Sequence, residues 1–135
     1  MANEATIITL LGNQGDPIEY TVATGTAIAK GTIMNLHASP QTATAADTDG
    51  DYVVGIAAVE KTATDGITQM TVWTEGIFKM IVGANSTTIG YDVVASAGDN
   101  TIDDYDTLDD EKGFVIGKAL EAAATGESCA VKLKL

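Results

Sequence analysis

The chain has 135 residues, with nineteen carboxylates against seven lysines, no arginine and a net charge of −12. Such a surface repels phosphate backbones and anionic lipid, whose binding draws on Lys and Arg, so nucleic-acid and membrane partners are excluded. The missing arginine also removes the usual forked anchor for a substrate phosphate or carboxylate. At this length, and with 45% apolar residues, one domain can bury roughly two-thirds of its unfolded surface.

Residues 1–15 read as an arm. Ile7, Ile8, Leu10 and Leu11 form a short apolar patch, and Gly12-Asn13-Gln14-Gly15-Asp16-Pro17 is a turn cluster that sets it apart. The patch either supplies a first strand or reaches out to dock on a neighbour. Met1-Ala2-Asn3-Glu4 lacks the positive start of a secretory signal. No apolar run approaches a membrane span, so synthesis in a cytosol is expected.

Residues 16–135 read as short strands at even spacing with glycine and Asn/Asp corners, the pattern of a small sandwich or barrel. Ile18–Val22 alternates with period two. Ala27–Leu36 follows, with Gly31 as a bend. The polar stretch 42–51 reads as a surface loop on composition. Strands are predicted over Tyr52–Val59, Ile67–Thr74 and Ile77–Val82, the last two separated by a Glu75-Gly76 corner, and then over Gly90–Val94. Ala97–Asn100 is a turn and Asp103–Lys112 an acidic loop. Phe114–Ala123 is read as a strand with a helical tail open, because Gly117 opposes helix and the alanines favour it. A last strand runs over Ser128–Leu135, with Val131, Leu133 and Leu135 on one side and Lys132 and Lys134 on the other.

Little in the chain suggests catalysis. Asp47, Asp49 and Asp51 fail the EF-hand spacing, since glycine falls at Gly50 and the twelfth position is Ala58. The cluster Asp103, Asp104, Asp106, Asp109, Asp110 and Glu111 is dense enough to interest a hard cation or a basic partner, and equally reads as a solvated tip. His37 has no cysteines with which to build a zinc site, and no phosphate-binding glycine loop occurs. Cys129, the one cysteine, cannot form an internal disulfide and reads as a small buried hydrophobe. Trp73 is either core or a candidate interface residue. No enzyme, metal or cofactor is expected.

Five segments carry a resemblance: Val54-Gly55-Ile56-Ala57, Thr74-Glu75-Gly76-Ile77-Phe78, Ile89-Gly90-Tyr91-Asp92-Val93-Val94, Phe114-Val115-Ile116-Gly117-Lys118-Ala119-Leu120 and Cys129-Ala130-Val131-Lys132-Leu133. Their order over roughly residues 18–135 resembles the capsid decoration (head-stabilising, cement) proteins of tailed phages. One departure is Tyr91, where that pattern places Asp directly after the glycine. The resemblance implies an all-β fold, a single β-barrel or β-tulip-like domain with an extended N-terminal arm. It implies a virion protein on the outer capsid surface, partnered by the major capsid protein, usually as a homotrimer. On that reading Ile7, Ile8, Leu10 and Leu11 anchor the arm to the shell. The alternatives are a carbohydrate- or surface-binding β module, with Trp73, Tyr91 and Tyr105 as its aromatics, or a tail or head-completion component.

Overall fold

In the computed structural model the described residues are 3–9, 18–46, 51–98, 100–106 and 112–135. They form eleven strands: β1 (Thr6–Thr9), β2 (Ile18–Thr21), β3 (Ile33–Leu36), β4 (Ala43–Ala45), β5 (Val53–Ala57), β6 (Gln69–Trp73), β7 (Ile77–Val82), β8 (Asp92–Ala95), β9 (Thr101–Asp104), β10 (Val115–Ala119) and β11 (Ser128–Leu133). A 3₁₀ turn over Lys112–Phe114 is the helical element among these residues. The all-β reading holds. The helical tail after β10 does not form: the chain bends there, and the Leu120 amide bonds back to the Ala130 carbonyl at 2.8 Å.

The sheets divide into a closed barrel and a curled companion. β7, β11, β10, β8 and β9 pair in a ring, closed by a parallel contact of β7 with β9. β7 makes this possible by dividing one side between two partners. Its start pairs with β1, Thr6 opposite Lys79 and Ile7 opposite Phe78. Its end pairs with β9, Ile81 opposite Thr101 and Val82 opposite Ile102. The other sheet runs β2-β6-β5-β3-β4, and its outer strands approach each other through the Thr21 amide bonded to the Gln41 carbonyl.

Period-two alternation builds both cores. Phe78, Met80 and Val82 of β7 and Cys129, Val131 and Leu133 of β11 point into the barrel, while Lys79 and Lys132 face water. Leu135, past the end of β11, is partly exposed instead of continuing the inward row. β5 serves both cores: Val53 and Ile56 pack with the barrel, and Val54 and Ala57 with Met34, Met70 and Val72 of the second sheet. A register shift between β3 and β5 permits this, because Met34 faces Gly55 while Asn35 faces Val53. At Gly117 a Cβ would collide with the Lys132 carbonyl, so only glycine lets β10 lie this close to β11.

Two polar knots tie the parts together. Asn100, buried in the β8–β9 turn at φ 60°, accepts the Ile33 amide on Oδ1 at 2.6 Å. Its Nδ2 donates to the carbonyls of Gly31 (3.1 Å) and Asn3 (3.0 Å). One side chain thus joins barrel, second sheet and N-terminal segment. Gly31 itself has φ 89°, and a Cβ there would lie 2.5 Å from the Ala5 carbonyl oxygen. The second knot is Lys61, only 1% exposed. Its Nζ donates to the carbonyls of Thr24 (2.8 Å), Thr26 (3.1 Å) and Thr62 (3.1 Å) and lies 3.3 Å from Asp65 Oδ1. Such saturation is what a buried ammonium requires.

Loss of water contact works to raise the Asp65 carboxyl. The Ile67 amide, the hydrogen bond and charge of Lys61, and the Thr62 amide outweigh it and hold the group below its ordinary value. A carboxyl held low adds stability above its unfolded value, about pH 4, and loses that contribution as pH falls through the folded value.

Three outcomes follow from these knots. Lys61→Met, which removes the buried ammonium and its bonds to three carbonyls, lowers unfolding free energy by about 2 kcal/mol, read as a shifted urea midpoint at unchanged slope. Asn100→Gly, which keeps the backbone comfortable but removes three hydrogen bonds, costs about 2 kcal/mol, and Asn100→Ala about 1 kcal/mol more for its positive φ. Asp65→Asn narrows its deficit against the parent as pH drops from 6 to 3; a deficit independent of pH would show that the carboxylate contributes no charge-dependent stability.

Candidate docking surfaces

The terminal segment is fastened to the body over its described part. Asn3 is held by Asn100, the Ala5 amide donates to Gly31 at 2.8 Å, and Thr6–Thr9 pair with β7. Of the two sequence readings for this patch, residues 6–9 take the first, a strand. Ile7 is half-buried against the barrel core, and Ile8 on the opposite face is 47% exposed. Leu10 and Leu11 lie outside the described residues.

The strand edges differ in how they are finished. The β2 edge is covered by the Gln41 carbonyl on Thr21 and by Gln41 Nε2 donating to the Glu19 carbonyl at 3.1 Å. The barrel closes on itself through β7 and β9. β1 ends its sheet, and among the described residues it pairs with β7 alone. An unpaired edge is a row of amides and carbonyls ready to take another strand.

The acidic segments separate into two kinds. Asp47, Asp49, Asp109, Asp110 and Glu111 lie outside the described residues. Asp103, expected in a loop, lies within β9 instead and is buried. Its Oδ1 accepts the Asn85 amide at 3.0 Å, and Asp104 Oδ1 accepts the Thr88 amide at 3.0 Å. These carboxylates brace the 85–88 turn against β9. Among the described residues no three His, Cys, Asp or Glu side chains gather as metal ligands would.

Trp73 is partly buried with its ring against the barrel core, and its indole Nε1 has no acceptor among the described residues. His37 stands in an exposed turn, its Nδ1 accepting the Ser39 amide at 3.3 Å. Cys129 is buried in the barrel, its Sγ donating to the Glu121 carbonyl at 3.2 Å, the inert position that alternation gave it. Tyr91 is 57% exposed and shares a shallow groove with Tyr105, Asn85, Ser86, Asp104 and Asp106. Lys61 and Asn100 carry no motif. A lone lysine after Glu60 and an asparagine after Asp99 look like ordinary surface polar residues in the sequence.

The fold is shared with a solved structure described as the N base of the head fiber gp8.5 in bacteriophage phi29. The TM-score is 0.53 and the identity 16%, over 88% of this chain and 95% of that one. Comparison with curated proteins gives no match. Residues 12–135 match the family described as phage cement protein; the chain belongs to that family and is a structural protein of the phage head.

Proposed function

We propose that the protein binds the outer surface of an assembled capsid and cements neighbouring capsid subunits, as trimers at three-fold and quasi-three-fold positions. The observation that supports this most directly is the edge of β1, which among the described residues pairs with β7 alone, with Ile8 exposed beside it. An extended segment of the major capsid protein adds to that edge by main-chain hydrogen bonds. Ile7 holds β1 on the barrel, while Ile8, Leu10 and Leu11 supply apolar contact to the shell. Trp73, with part of its surface in water, is a further candidate contact.

Three such attachments in a trimer act together. The second and third see a local concentration near the millimolar range, so avidity exceeds single-site affinity by roughly 10² to 10⁴. A ligand of the assembled shell alone raises the free energy of taking the shell apart. The family assignment and the shared fold with a head-fiber base agree with placement on a head. A tail or head-completion part is the second reading, and copy number separates the two.

In gradient-purified heads the chain is expected near one copy per major capsid protein, and analytical ultracentrifugation of the free protein is expected to give a trimer. Ile8→Asp changes an exposed side chain and leaves the thermal midpoint near that of the parent, yet lowers head occupancy at least about tenfold. Full occupancy with Ile8→Asp would sink the β1 mechanism and leave the cement role standing. A few copies per particle would transfer the protein to head completion.

A further inference from the structure

The groove at the Tyr91 end of the barrel is built independently of β1. We infer that it is a binding site for neutral, equatorially substituted pyranose sugars. Its volume is about 440 Å³, and Asn85, Ser86, Tyr91, Asp104, Tyr105 and Asp106 line it.

The groove is set by backbone bonds. The Tyr91 amide donates to the Thr88 carbonyl at 3.0 Å and the Tyr105 amide to the Asp92 carbonyl at 2.8 Å. Asp103 and Asp104 fasten the 85–88 turn from below. Both tyrosines are therefore carried on segments fixed before a ligand arrives, which reduces the ordering cost of binding.

The chemistry of the lining selects the ligand class. Exposed tyrosine supplies a flat apolar surface with a polar tip, suited to the C–H face of a pyranose. Asn85, Ser86 and the Tyr91 hydroxyl offer donors and acceptors together. A sugar hydroxyl both donates and accepts, so it can use the whole set. An ammonium or guanidinium only donates and leaves the amide and hydroxyl donors unmatched. No lysine lines the groove and the chain has no arginine, so phosphorylated, sulfated or acidic sugars are repelled. This site goes beyond cementing and does not depend on it.

The probes are cellohexaose and chitohexaose, titrated into the full chain by isothermal calorimetry, with hexalysine as the cationic control. At least one hexasaccharide is expected to bind. Tyr91→Ala and Asn85→Ala are expected to weaken that binding at least about tenfold while leaving far-ultraviolet circular dichroism, the thermal midpoint and head occupancy unchanged. Binding of neither saccharide, saccharide binding indifferent to Tyr91→Ala, or binding of hexalysine alone would each overturn the assignment. Because Ile8→Asp acts at β1 and Tyr91→Ala at the groove, failure of one site is distinguishable from failure of the other.

Discussion

The architecture depends on one buried asparagine. Asn100 closes three hydrogen bonds at once, to the amide that opens β3, to the carbonyl of Gly31 and to the carbonyl of Asn3. An apolar contact would not fix this geometry, because hydrophobic packing has no direction, whereas these bonds orient the Gly31–Ile33 segment and the Asn3 segment against one turn. The residue holds φ 60°, a conformation that asparagine tolerates better than most residues. The turn that lets β9 double back to lie parallel with β7 is therefore the same turn that locks the second sheet and the terminal segment in place.

Charge in this molecule works in two registers. Over the surface, net −12 keeps copies apart and makes chance association unfavourable. Locally, single carboxylates serve as acceptors for backbone amides, at Asp65, Asp103 and Asp104. Lys61 is the counterpart, an ammonium buried among carbonyls. In a chain so rich in acid, the sequence density of carboxylates around Asp103 suggests a cation loop. The folded positions assign two of them to bracing a turn.

The strands that alternate cleanly were legible before the structure: β7 has the predicted bounds, Ile77–Val82, because its inward Phe78, Met80 and Val82 have no competing pattern. Glycine corners were legible for the same local reason, Gly76 at φ 124° and Gly126 at φ 84° among them. β4 was not, since Ala43-Thr44-Ala45 is small and polar and becomes a strand only by pairing with β3. β9 was hidden by Asp103 and Asp104, poor strand formers that are held by neighbouring amides. Lys61 and Asn100 could not be read at all. Two of the carbonyls that hold Lys61 lie 35 and 37 residues away, and the partners of Asn100 67 to 97, and long-range backbone partners leave no spacing in a sequence. The tyrosine groove was half legible: its aromatics were named, but that Tyr91 and Tyr105 share a wall while Trp73 turns to the core is a matter of topology.

The finish of the β1 edge bears on how attachment to a head would work. A loose arm must be ordered on docking, at about 1–2 kcal/mol per residue of backbone entropy. For four residues that is roughly 4–8 kcal/mol, comparable to a millimolar-to-micromolar affinity on its own. Here Thr6–Thr9 are already ordered by β7, and their approach is fixed by Asn100 and Gly31. On the cement reading, folding has met that cost before the capsid is reached, so each protomer can hold by a short strand contact and one exposed isoleucine. Trimerisation then needs only to add avidity to a preformed edge, rather than to compensate for ordering three arms.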